Sequence, residues 1–116
     1  MKAGSRTRGP VGPAAPTCRQ VIEEAAAVFG VTTDELCGHG LSGRVIAARQ
    51  TAMYVCHLLV DEPLRAIGRS FGGRDDATVL AAARRVDRLM AERPAIRGKV
   101  AELTNRLGRV HGRRAG

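Results

Sequence analysis

Arg74-Asp75-Asp76-Ala77-Thr78 sets an arginine fork, two carboxylates, a methyl and a hydroxyl in five consecutive positions of this 116-residue chain. Arginine carries a planar fork of N–H donors that fits guanine O6 and N7, or a phosphate, through two parallel bonds. A carboxylate accepts from cytosine N4, a threonine hydroxyl both donates and accepts, and an alanine methyl can touch the thymine methyl. The same side chains have structural uses. Asp75 can cap a helix, because an acid there meets unpaired N–H groups and the positive end of the dipole. Arg74 can pair on the surface with Asp75 or Asp76, and Thr78 can bond backbone. The chemistry on offer is polar recognition rather than turnover: no nucleophile–base pair accompanies it, and neither Cys37-x-His39 nor Cys56-His57 has a structural zinc spacing.

Side chains of this kind act together only if a helix end presents them. Leu64, Ile67 and Phe71 recur at helical spacing, Gly72-Gly73 follows, and a second periodic run passes through Val79, Ala83, Val86 and Met90. Glycine enters positive φ without steric cost, so the pair lets the chain reverse and set the second helix across the first. The pattern predicts a helix-turn-helix, in which the second helix places its N-terminal residues at the base edges of the major groove. Arg65 and Arg69 are four residues apart and share the outward face of the first helix. A phosphate opposite them would offset their repulsion, and solvation would also be tolerated.

The rest of the chain supplies a frame. Thr17 is an N-cap for a helix carrying Val21, Ile22, Ala25, Val28 and Phe29, with Gly30 ending it. Thr32 and Glu35 have capping-box spacing for a short second helix through Leu36. A glycine-rich loop, 37–44, leads to a third helix starting at Ser42 or Gly43. That helix is apolar on more than one side, so it belongs at the centre of the packing. Pro63 suits the first position of a fourth helix, Leu64 to Ser70. The fifth runs from Asp75 to about Glu92, and Pro94 opens a sixth with an Ile96, Val100, Leu103, Leu107 stripe. The expected organisation is a flexible basic arm (1–16), one helical domain (17–107) and a basic tail (108–116).

Phe71-Gly72-Gly73-Arg74-Asp75-x-x-Thr78-Val79 resembles the signature of the C-terminal DNA-binding domain of the bacterial chromosomal replication initiator family, DnaA, where Gly-Gly-Arg-Asp-His-Thr-Thr-Val is usual. The resemblance extends through Arg49-Gln50-x-Ala52-Met53 and Leu64-x-x-Ile67-Gly68-x-x-Phe71, and spans residues 19–107. It implies an all-α, compact bundle of five to six helices containing a helix-turn-helix, Trp repressor-like. It further implies sequence-specific binding of double-stranded DNA of the replication-origin (DnaA-box) kind, with a role in initiating or regulating replication. Carried over by residue, Arg74 contacts DNA through phosphate or base, Asp75 contacts a base, and Thr78 a phosphate or base. Arg49 reaches the minor groove or adjacent backbone, unless it is simply an exposed helical arginine.

Two departures bear on specificity. The chain has Asp76-Ala77 where the family has His-Thr; Asp76 only accepts and is repelled by phosphate, and Ala77 keeps only a methyl. At about 1–3 kcal/mol of discrimination per good base contact, the change predicts a relaxed or altered target. The family's basic loop here keeps Arg44 and, just inside the next helix, Arg49, which predicts weaker phosphate anchoring.

Net charge is +8 and the sequence pI about 10.9, which favours a polyanionic partner. Residues 1–17 hold three bases and residues 104–116 hold four, with no acid in either; 18–103 hold 12 bases and 11 acids. Within the domain, Arg65, Arg69, Arg74, Arg84, Arg85 and Arg88 gather around the turn and second helix, whereas Glu23, Glu24, Asp34 and Glu35 lie early. There is no Gly-x-x-x-x-Gly-Lys-Ser/Thr loop. The expectation is therefore a non-enzymatic DNA-binding protein without ATPase activity, nucleotide, cofactor, metal or membrane span, in the cytoplasm on the nucleoid, monomeric on DNA, with a replication initiator or another protein as a further partner. The alternative is a helical protein-interaction module or transcriptional regulator that has lost box specificity.

Overall fold

Helix boundaries are written into local capping chemistry. The computed structural model describes residues 15–115, with side chains described for 15–109. Helix α1 (Cys18–Phe29) opens on a reciprocal box: the Thr17 hydroxyl accepts from the Gln20 N–H at 3.1 Å, and the Gln20 side-chain oxygen accepts from the Thr17 N–H at 2.9 Å. Gly30 ends it in the left-handed region at φ 69°. Helix α2 (Thr33–Cys37) repeats the device with Thr32 and Glu35, at 3.0 and 2.8 Å. Ser42 caps α3 (Gly43–Leu59) by accepting from the Val45 N–H. Helices α4 (Leu64–Ser70), α5 (Asp76–Glu92) and α6 (Pro94–Ala115) complete the chain, and there is no strand among the described residues. The all-α expectation holds.

Helix α3 packs against all five others. Val45, Ala48, Thr51, Ala52, Met53, Tyr54, Val55 and Cys56 are all buried along it, which is why its sequence lacks a single apolar face. Phe71, Leu36, Ile67, Leu103 and Val79 fill the space around it, each almost fully buried. With so few aromatic rings, the interior is made of small aliphatic side chains that bring the helices close. Helix α6 is tied to α1 by polar contacts as well. Arg106 Nε lies 2.7 Å from Glu24 Oε1, and Lys99 Nζ donates to the Val28 carbonyl at 3.2 Å while standing 5.5 Å from the Phe29 ring centre. A cation there meets the negative end of α1.

Three boundaries differ from expectation. Pro63 is the cap of α4 rather than its first helical residue; either place spares a missing N–H. Asp75 likewise caps α5 from just outside it. The third difference is larger: α6 runs to Ala115, through the segment expected to be a tail. Gly108 and Gly112 cost helix stability of about 1 kcal/mol each but do not forbid the conformation, and no proline intervenes to stop it. The expected arm, 1–16, lies outside the described residues except for its last two. No helix among the described residues is long and apolar enough to cross a membrane.

Candidate nucleic-acid interface

Helices α4 and α5 meet at a turn that only glycine fits. Gly72 and Gly73 have φ of 78° and 83°, as the sequence predicts. A Cβ on Gly72 would overlap the Cys37 carbonyl oxygen, and one on Gly68 would overlap the carbonyl oxygen of Arg74. Gly68 therefore sets the close approach of α4 to the start of α5, where the Arg74 N–H donates to the Gly68 carbonyl at 2.9 Å. The turn leads directly into the exposed tip of α5: Asp75, Asp76, Ala77 and Thr78 are all exposed, and the next residue, Val79, is fully buried. One helical turn thus separates solvent from core.

That tip is organised by its own residues. Asp75 Oδ1 accepts from the Thr78 N–H at 2.8 Å and from the Thr78 hydroxyl at 2.7 Å. The Thr78 hydroxyl and then its backbone N–H hold the Asp75 carboxyl below the usual carboxylate range, because both stabilise the charged form. Asp75 is thus a helix cap, and Thr78 braces it. Asp75 Oδ2 has no hydrogen-bond partner among the described residues, which leaves an acceptor facing outward beside the braced one. Asp76 Oδ1 accepts from the Ala77 N–H at 3.1 Å.

The arginines divide into two groups. Arg44, Arg65 and Arg69 are exposed, and none forms an ion pair among the described residues. Arg49 and Arg74 turn inward. Arg49 is 7% exposed; its Nε donates to the Leu36 carbonyl at 2.9 Å, Nη2 to Glu35 at 2.9 Å and Nη1 to Gly40 at 3.1 Å. Half-buried Arg74 donates from Nη1 to the carbonyls of Phe71 at 2.6 Å and Cys37 at 3.4 Å, and from Nη2 to Gly38 at 2.5 Å. Burial, and then the charge of Arg74, press the Arg49 guanidinium below the usual arginine value.

This arrangement corrects the expectation for Arg49. It is neither an exposed helical arginine nor a side chain extended toward a groove, because all three of its nitrogens are committed to carbonyls at the end of α2 and in the following loop. The physical reason is that the last carbonyls of any helix lack intrahelical donors, and α2 ends at Cys37 with the Gly38 N–H reaching the Glu35 carbonyl at 3.3 Å. Two guanidinium groups supply donors, and their charge suits a helix C-terminus. Arg74 also makes no ion pair with Asp75 or Asp76; its side chain folds back from the tip to the loop. Cys37 completes the junction by donating its thiol to the Ser70 carbonyl at 3.4 Å, with burial raising its pKa.

Sequence reasoning thus brought Arg65, Arg69 and 74–78 to one helix pair, but it missed that the loop after α2 is bolted to the same turn. It also missed Leu41, 79% exposed in that loop. The run from Leu36 to Val60 contains no acid, which was the readable hint that this loop and its helix lie against something electron-rich, in part its own carbonyls.

Comparison with known proteins agrees with this geometry. The family model described as the bacterial dnaA protein helix-turn-helix matches residues 18–86. Over 89 residues the chain is 44% identical to the chromosomal replication initiator protein DnaA of Corynebacterium jeikeium (strain K411), covering 77% of this chain and 15% of that protein. It is 43% identical over 97 residues to the protein of the same name from Leifsonia xyli subsp. xyli, covering 84% and 20%. For the Cutibacterium acnes protein the identity is 41% over 91 residues, covering 78% and 18%. The chain therefore spans a fifth or less of the length of these relatives. With the matched region running from the first residue of α1 to the core of α5 and including the double-glycine turn, this chain belongs to the bacterial DnaA helix-turn-helix family.

Proposed function

We propose that this protein binds double-stranded DNA by placing the tip of α5 in the major groove, and that it acts in the initiation or regulation of DNA replication through sites of the replication-origin kind. The observation that carries the reading is the exposed, locally capped tip at Asp75–Thr78, delivered by the Gly72-Gly73 turn and flanked by exposed Arg65 and Arg69. In this reading Arg44, Arg65 and Arg69 neutralise phosphates, and Asp75, Asp76, Ala77 and Thr78 face base edges. Arg49 and Arg74 contribute by holding the adjoining loop in place. The outward Oδ2 of Asp75 suits an amino donor such as cytosine N4, and the acceptor-only Asp76 narrows what can lie beside it. Recognition without chemistry fits a surface that offers no nucleophile–base arrangement, and no ATPase activity is assigned to this chain.

The test is the salt dependence of duplex binding. Neutralising about five or six phosphates gives a log–log slope of roughly −4 to −6, and a slope near zero removes the electrostatic basis of the reading. Selection of bound duplexes from a random pool then reports whether the Asp76-Ala77 tip prefers a defined site. A helical protein-interaction module is the second reading, motivated by the exposed acid at Asp76. It gains if Asp76→His and Arg65→Ala leave duplex affinity unchanged while a protein partner survives purification.

A further inference from the structure

We propose that a second copy of this chain docks on the face shared by the end of α3 and the middle of α5, the two α5 helices crossing antiparallel about a two-fold axis between Arg84 and Asp87. The inference does not depend on DNA binding. It starts from a cleft of about 380 Å³ between α3 and α5, bordered by Tyr54, Leu58, Leu80, Arg84 and Asp87 among others. Two of these side chains are out of place in an isolated molecule. Leu58 is 54% exposed although it closes a helix that is buried along most of its length. Tyr54 is only 9% exposed, yet its hydroxyl borders the cleft with no hydrogen-bond partner among the described residues. A buried phenol normally finds one. A single exposed leucine is ordinary on a protein surface; an exposed leucine and an unpaired buried hydroxyl in one cleft mark a face that something else completes.

The charges identify what completes it. Arg84 and Asp87 lie on one face of α5, both exposed. Opposite charges at that spacing can pair with each other, but neither forms an ion pair among the described residues. A face with one charge of each sign is matched by neither an acidic nor a basic partner; it is matched by its own copy turned through 180°. With the axis midway between the two residues, Arg84 meets Asp87 of the second copy and Asp87 meets Arg84. The same register sets half-buried Leu80 against Ala91, which is exposed and only methyl-sized, so a bulky side chain finds a shallow seat. Leu58, beside Leu80 in the cleft, covers that apolar contact from the side. Burial, and then the charge of nearby Asp87, hold the Tyr54 hydroxyl above its usual pKa. The guanidinium that reaches Asp87 from the second copy therefore also arrives within reach of the unpaired phenol oxygen and donates to it. One register thus answers the exposed leucine, the unpaired ions and the unpaired hydroxyl. A two-fold pair also carries two α5 tips, the form in which helix-turn-helix proteins meet inverted half-sites, where the monomer expected from the sequence carries one.

Sedimentation equilibrium of the full chain without DNA is the test. A contact built on one helix face falls short of the roughly 800 Å² per partner of a standard interface, so the expected dissociation constant is about 0.1–1 mM. In about 0.1 M salt the repulsion between two chains of charge +8 is screened beyond about 10 Å. The average mass then rises above 12.3 kDa as the concentration approaches about 1 mM. Arg84→Asp and Asp87→Arg each set like charges face to face and weaken association about tenfold or more. The doubly reversed chain regains the original strength within about threefold, a recovery that damage to the fold does not produce. Leu58→Ser weakens association about fivefold with an unchanged melting temperature, and Tyr54→Phe about threefold. A mass fixed at 12.3 kDa throughout overturns the inference and leaves this face to a different protein. Association that both single reversals leave untouched, or that the double reversal fails to restore, overturns it as well, and none of these outcomes bears on the DNA-binding reading.

Discussion

The loop after α2 and the tip of α5 are joined at one turn, yet they are stabilised in opposite ways. The tip is local: Asp75 and Thr78, three residues apart, satisfy each other and leave the rest of the tip facing solvent. The loop is held from a distance, by Arg49 from α3 and by Arg74 from across the turn, 36 and 37 residues from Gly38 and Cys37. Arginine, the residue type that charge counting assigns to DNA, serves the protein's own carbonyls in one region and is free in the other. The comparison teaches that a basic cluster around a helix-turn-helix contains two populations, and that only solvent exposure and hydrogen-bond partners separate them.

Arg49→Ala is the strongest test of this division. Removing a buried cation that serves three carbonyls should cost about 3–4 kcal/mol, read as a lower denaturant midpoint, because the carbonyls lose charged donors and a void remains. Retention of full stability would mean that the loop does not need its clamp. Gly68→Ala follows closely, at about 3 kcal/mol, since its methyl group has to displace the backbone of Arg74; thermal unfolding measures it. Arg74→Ala should lose about 1–2 kcal/mol, less than Arg49 because the side chain is only half-buried, and its amide-exchange protection should fall in the loop as well as in the turn.

The exposed arginines should behave in the reverse sense. Arg65→Ala and Arg69→Ala are expected to leave the unfolding midpoint unchanged and to reduce the salt slope of duplex binding by about one each. A stability loss would place them with the inward group. The smallest effect is at Asp75. Its folded carboxyl titrates below its ordinary value of 3.8, so its stabilisation is complete above that value and is lost as pH falls through the lowered one. Asp75→Asn keeps a good cap but should flatten the pH dependence of the melting temperature below about pH 4, while leaving it unchanged near neutrality.

How much of this could be read in advance depended on range. The Thr17 cap, the Thr32–Glu35 capping box, the Gly30 stop and the positive φ of Gly72 and Gly73 were legible, because each involves groups within three or four residues and follows from sterics or from an unpaired N–H. The pervasive apolarity of α3 likewise announced its central place. The direction of Arg49 was not legible. An arginine on a helix with small neighbours reads the same whether it faces water or the end of another helix, and the competing demand came from carbonyls 9 to 14 residues upstream. The continuation of α6 was hidden for the opposite reason, since its glycines weaken a helix without ending it.

By itself, then, the sequence determined the six helices, the turn between α4 and α5, and the residues at the α5 tip, all through short-range geometry. The tertiary structure decided which arginines remain free, how the loop bearing Leu41 is fixed beside the tip, and why Gly68 has no side chain. Those outcomes depend on which backbone groups are left without partners once the helices pack, and no local stretch of sequence records that.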